Sequence, residues 1–145
     1  MYIEKASKST EELYIALQRL VPQLTINNAA PGWDELDSLV NSKSSTLLIA
    51  RHPDEKGDIV GILTLAIYRV PTGIRSVIED VVVDEKVRKR GIGEALLLHA
   101  IELAKEAGAS GVALTSNPRR EAANALYQST GFKRRETNAY YLNLK

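Results

Sequence analysis

The sequence has no cysteine, which excludes disulfides, thiolate metal sites and a catalytic thiol. It has little of either charge in excess: 19 Lys and Arg face 18 Asp and Glu, for a formal charge of +1. That excludes a surface built throughout for nucleic acid or acidic lipid. The longest apolar runs are far too short to span a bilayer, and MYIEKASKST, residues 1–10, has no apolar signal core. No repeat and no low-complexity tract is present. A soluble, cytoplasmic protein without membrane or nucleic-acid partner is expected. At 145 residues, with no linker, one domain over residues 1–145 is expected. A chain of this size buries roughly 70% of its unfolded surface, so its core needs no staples.

What is present reads as alternating element types. Tyr2 to Lys5 predicts a short strand, and apolar Leu13, Ile15, Leu17, Leu20 and Val21 predict a helix from Ser9, as N-cap, to about Pro22. Residues 25–32 read as a loop and residues 33–40 as a second helix. Strands follow at 46–51, 59–70 and 74–84, with turn-rich HPDEKGD and Pro71, Thr72, Gly73 between them. Ile92, Ala95, Leu96, His99, Leu103 and Ala104 then recur at helical spacing, closed by Gly108. Residues 112–115 form a short buried strand. Asn117 as N-cap and Pro118 as first residue start a last helix, which Gly131 ends. Strands at 132–135 and 139–144 close the chain. The order implies an α/β (α+β) fold: a central mixed, mostly antiparallel sheet flanked by helices.

One junction stands out. In IEDVVVDEKVRKRGIGEALLLHAI an apolar strand runs through a basic, glycine-containing loop into a helix. A helix N-terminus presents unpaired N–H groups and the positive end of the macrodipole, which suits an anion. Gly91 and Gly93 allow close approach to the main chain, and Arg88, Lys89 and Arg90 add positive charge. A pyrophosphate is the natural guest; a plain turn with solvated cations is the alternative. The Walker pattern fails because Glu94 and Ala95 follow the second glycine. The dinucleotide fingerprint fails because Leu96 replaces its third glycine, and Thr115 and Ser116 stand where its acidic residue belongs. The basic run is short and lacks interleaved aromatics, against nucleic acid.

R-K-R-G-I-G, residues 88–93, resembles the R/Q-x-x-G-x-G/A loop of the GNAT acyl-CoA-dependent N-acetyltransferases. A-L-Y-Q-S-T-G-F, residues 125–132, is similar to the L-Y-x-x-x-G-F ending of the same superfamily. The separation of the two motifs and the helix–strand–helix between them also agree. This resemblance implies a GNAT fold, with acetyl-CoA as co-substrate. It implies that backbone groups of Arg88, Lys89, Arg90, Gly91, Ile92, Gly93 and Glu94 cradle the pyrophosphate. Main-chain groups of Val81 and Val83 would meet the pantetheine arm, where this strand and the next splay apart.

Amine acetylation needs a neutral amine, a polarised thioester and a proton for the departing thiolate. An amine of pKa about 10 is protonated roughly a thousandfold at pH 7, a deficit of about 4 kcal/mol. The resemblance makes Tyr127 the general acid beside the sulfur; its alternative is a core aromatic on an apolar stripe with Leu126. Glu79 and Asp80 interrupt the apolar strand and point to opposite faces unless a bulge intervenes. Glu79 is the choice as base or cation anchor, with Asp80, a water chain or a plain ion pair as alternatives. I-E-D-V-V-V resembles the same strand in glucosamine-phosphate acetyltransferases, but six residues carry no substrate assignment. Asn117 is a candidate for the pantetheine beside its ordinary role as N-cap, and Asn124 is a candidate one turn before Tyr127. The sequence departs from the motif at Arg120, where the family commonly has an Asn. His52 and His99 read as structural.

The expectation is an acetyl-CoA-dependent N-acetyltransferase that works by direct transfer in a ternary complex, since no cysteine can carry the acetyl group. The acceptor is a primary amine of a small molecule or a protein. Its pocket is expected around residues 25–33, the Glu79 region and the last strands near Tyr140. A homodimer through the C-terminal strands is a family-level expectation. The alternative is a module of the same fold that binds acyl-CoA without turnover.

Overall fold

The computed structural model describes all of residues 1–145. The chain divides into two compact units, Met1–Thr115 and Ser116–Lys145.

The first unit runs β1 (Tyr2–Lys5), α1 (Glu11–Leu24), α2 (Trp33–Val40), β2 (Ser45–His52), β3 (Asp58–Val70) and β4 (Gly73–Val83). A 3-10 turn at Glu85–Val87 leads into α3 (Ile92–Glu106), and β5 (Val112–Ala113) completes it. The sheet order is β1-β2-β3-β4-β5. The first three pairings are antiparallel and β4–β5 is parallel, as the sequence predicts for a mixed sheet.

Helix α1 forms because Leu13, Ala16, Leu17 and Leu20 line one buried stripe. Its N-cap is Thr10, whose hydroxyl accepts from the Leu13 N–H at 3.1 Å. The expected cap, Ser9, instead donates to Asp37 Oδ1 at 2.9 Å, tying the start of α1 to α2. The helix also outruns Pro22, which sits inside its last turn. There the ring removes one donor only, and Thr25 N–H still reaches the Val21 carbonyl at 3.0 Å.

Leu36 and Val40 of α2 join the α1 stripe against Leu47, Ile49, Ile62 and Val82 of the sheet. Helix α3 covers the opposite face. Gly61 of β3 makes that approach possible, because a Cβ there would stand 3.2 Å from Leu96 Cδ1 and 3.4 Å from Ile92 Cγ2. Leu20, Leu36, Leu63 and Leu96 are fully buried; truncating such a leucine to alanine costs about 2–5 kcal/mol.

The second unit contains α4 (Glu121–Thr130), ended by Gly131 at φ +111°. The N–H groups of Gly131 and Phe132 return to the carbonyls of Gln128 and Tyr127 at 3.1 and 3.0 Å. The helix starts later than Asn117 and Pro118 predict. Asn117 Oδ1 accepts from Arg119 N–H at 2.9 Å and closes a turn one step ahead of the helix. Residues 132–145 form no strand, against the two expected at 132–135 and 139–144. An isolated two-stranded hairpin is marginal in water, and this unit has no third strand to support one. Tyr140, Tyr141, Leu142 and Leu144 are accordingly exposed.

Candidate functional site

The junction after β4 is built from the strand outward. β5 pairs with β4 only at Ser76↔Val112 and Val77↔Ala113, whereas β4 runs on to Val83. Along that stretch β4 carries an irregularity: Ile62↔Val82 is followed by Thr64↔Glu79, so β4 spends one residue more than β3. Asp80 takes up the extra residue in the left-handed region, at φ +50°. The parity of the strand therefore reverses. Val82 packs in the α1 cluster, whereas Ile78, paired with Leu65, lies on the α3 face with Gly61 and Leu63. Glu79, opposite Thr64, lies on the α1 and α2 face. Both Glu79 and Asp80 are exposed, so the bulge removes the simple opposite-face expectation.

Beyond Val83 the chain enters the loop under restraint. Asp84 is buried, its Oδ1 accepts from Lys86 N–H at 3.2 Å, and its Oδ2 accepts from Arg19 Nε at 3.2 Å. Burial pushes the Asp84 carboxyl up, but the Lys86 N–H, Arg19 and Gln23 outweigh it and hold the pKa below the usual value. Arg88 donates from Nε to the Val83 carbonyl at 3.1 Å, so that carbonyl already has one partner. Lys89 at φ +63° and Gly91 at φ +79° then bend the chain into α3.

The first backbone hydrogen bond of α3 runs from Ala95 N–H to the Gly91 carbonyl at 3.0 Å. The N–H groups of Ile92, Gly93 and Glu94 precede it and have no helical partner. Arg88, Lys89, Arg90 and Gly91 are exposed beside them. Around Gly91 there is room as well: a Cβ there would meet nothing nearer than Met1 Cε at 3.9 Å. Helix N-terminus, adjacent cations and open approach to the main chain are the properties a pyrophosphate requires.

On the same unit, Trp33 opens α2 and its ring lies 6.0 Å from that of Tyr14 on α1. Gln18 Nε2 donates to the Pro31 carbonyl at 3.0 Å and pins the intervening loop. His99 is exposed on α3.

In the second unit Tyr127 is buried, with the Phe132 ring edge-on at 6.1 Å. Burial raises the phenol pKa above its ordinary value, and the positive charge of Arg120 offsets part of that rise. Tyr127 thus holds its proton throughout the neutral range. Asn124 donates from Nδ2 to the carbonyls of Asn117 and Arg120, both at 2.9 Å. Both amide protons are consumed in fixing the start of α4, which leaves Oδ1 alone for other partners. A concavity lined by residues 134–138 touches none of the candidate residues.

The residues that hold the junction in place, Arg19, Gln23 and Asp84, carried no signal in the sequence beyond an acid at a strand end. Arg19 and Asp84 lie 65 positions apart, and only the fold joins them.

The sequence profile described as Acetyltransferase (GNAT) family matches residues 13–132. No curated protein matches the chain in sequence. An aminoglycoside acetyltransferase from an uncultured soil metagenomic sample, solved with sisomicin, is 23% identical at TM-score 0.84, covering 99% of this chain and 96% of its own. A putative acetyltransferase from Agrobacterium tumefaciens is 25% identical at TM-score 0.80, covering 99% and 100%. A Trypanosoma brucei acetyltransferase is 27% identical at TM-score 0.74, again covering 99% and 100%.

Proposed function

The chain belongs to the GNAT acetyltransferase family, and from that premise we propose that it moves an acetyl group from acetyl-CoA to a primary amine. The observation that carries the reading is the β4–α3 junction, where N–H groups ahead of Ala95 stand beside three exposed cations. Acetyl-CoA, when bound, supplies the activated acyl thioester. Arg88, Lys89, Arg90, Gly91, Ile92, Gly93 and Glu94 would hold its pyrophosphate through backbone N–H groups and local charge. Main-chain groups of Val81 and Val83, on the part of β4 beyond its ladder with β5, would hold the arm.

Glu79 is proposed to take the proton of the acceptor ammonium, directly or through water, and so to lower the deficit of about 4 kcal/mol. Its place on the α1 and α2 face supports that role, as does its exposure. Tyr127 Oη is proposed to give a proton to the departing sulfur. A buried phenol that stays neutral at pH 7 is a competent donor. With no cysteine an acetyl-cysteine intermediate is impossible, which makes direct transfer in a ternary complex the default.

Thiol release from acetyl-CoA tests the whole reading when it is followed over a panel of primary amines. The expected result is amine-dependent release that disappears when the same amine is supplied already N-acetylated. Tight binding of acetyl-CoA with no amine-dependent release from any member would favour a module that binds without turnover.

A further inference from the structure

We propose that Arg19 and Gln23, on the last turns of α1, are positioning residues that set the entry of the loop proposed to cradle pyrophosphate. The inference rests on the reading of residues 88–94 as that cradle. Restraints are unevenly distributed along the loop.

Residues 84–87 are held at several atoms. Asp84 N–H donates to the Val60 carbonyl at 2.7 Å, and Val87 N–H donates to the Asp84 carbonyl at 3.0 Å. Lys86 N–H adds a bond to Asp84 Oδ1 at 3.2 Å, and side chains of α1 supply further restraints. Arg19 Nε meets Asp84 Oδ2 at 3.2 Å, a second nitrogen of the same guanidinium donates to the Ile59 carbonyl, and Gln23 Oε1 accepts from Glu85 N–H at 2.9 Å. Residues 88–91, by contrast, are held only by the Arg88 contact to Val83 until Gly91, whose carbonyl accepts from Ala95 N–H, and pass through two left-handed residues, Lys89 and Gly91. The exposed half of the loop therefore takes its direction from the anchored half.

Chemistry explains why α1 provides this anchor. Asp84 is only 6% exposed, and a buried carboxylate requires a counter-charge that is itself hydrogen-bonded. The planar guanidinium of Arg19 meets the carboxylate and a β3 carbonyl at once, a fork that a lysine cannot reproduce. A site made of backbone N–H groups tolerates misplacement of about 0.5 Å, so loss of the anchor should appear first in cofactor affinity.

Calorimetric titration with acetyl-CoA, beside thermal melting, on wild type, Gln23→Ala, Arg19→Gln and Arg19→Lys tests this. Gln23→Ala and Arg19→Gln are expected to weaken acetyl-CoA by about five- to fiftyfold, the ordinary size of coupling between such groups. Arg19→Lys should recover part of the Arg19→Gln loss, and the KM for the amine should stay within about twofold in all three. A purely structural clamp would lower the melting temperature and leave the affinity of the folded protein within about twofold of wild type; that result overturns the inference alone. Wild type that binds no acetyl-CoA overturns the cofactor reading and this inference with it. If Arg19→Gln fails to fold, Gln23→Ala decides, because it removes the acceptor for Glu85 N–H and a hydrogen bond to Asp84 yet leaves Arg19 as the counter-charge.

Discussion

The loop into α3 and the helix α4 each carry one motif, and they use it differently. At the loop, the motif is a matter of backbone: Gly91 at φ +79°, Lys89 at φ +63° and exposed cations surround N–H groups that no side chain occupies. At α4, the motif converges on one side chain, the buried Tyr127, whose ring meets Phe132. A backbone site is damaged by adding atoms and charge, a side-chain site by removing one atom. That difference tells affinity apart from turnover.

The largest effect expected is at the loop. Gly91→Asp puts a carboxylate where an anion should sit and should weaken acetyl-CoA by at least about a hundredfold. The folding cost should stay near 1–2 kcal/mol, the usual penalty for a left-handed non-glycine residue, because the surrounding space is open. Calorimetry and melting together separate the two quantities. Next comes Tyr127→Phe, expected to lower kcat by about a hundredfold while the KM for acetyl-CoA moves less than about twofold. In wild type any alkaline fall in kcat from this phenol should lie above the ordinary value of about 10. Equal losses in kcat and affinity would make Tyr127 a packing residue and erase the contrast between the regions.

Two smaller effects concern the anchors of the first unit. The Asp84 carboxyl is held low by Lys86 N–H, Arg19 and Gln23 against its burial. A depressed folded pKa contributes stability above the unfolded value, about 3.9, and loses it as pH falls through the folded value. Asp84→Asn should therefore shrink the loss of unfolding free energy between pH 7 and pH 3, by at most about 1 kcal/mol, read by urea titration. Smallest is Glu12→Gln. Glu12 accepts from Arg51 at 2.8 and 2.9 Å, and that hydrogen bond lowers its pKa, but its side chain is 53% exposed. Solvent screening should hold the cost near 0.5 kcal/mol.

The fold was legible where periodicity and punctuation agree. Trp33–Val40 is the helix expected at 33–40, and β2, β3 and β4 extend the strands expected at 46–51, 59–70 and 74–84 by a residue or shift them by one. Punctuation misled where a competing partner exists. Asn117 spends its side chain on a turn before α4, and Pro22 is absorbed in the last turn of α1 at the loss of one donor. Periodicity misled at 139–144, where apolar residues have no strand beside them.

Of the candidate site, the glycines and cations of the loop were legible because their chemistry is local. The bulge at Asp80 was not, since one extra residue in an apolar strand leaves the composition unchanged. It decides that Glu79 shares a face with α1 and α2. The link from Arg19 and Gln23 to Asp84 and Glu85 joins residues 65 and 62 positions apart, beyond any spacing rule.

The central claim is that the β4–α3 junction holds acetyl-CoA. It is tested most directly by calorimetric titration of the intact protein with acetyl-CoA, with NAD and ATP as controls and Gly91→Asp alongside. The account predicts binding in the range of about 1–100 μM for acetyl-CoA alone, lost in Gly91→Asp while the variant remains folded. Equal binding by wild type and Gly91→Asp, or none by wild type, would contradict it.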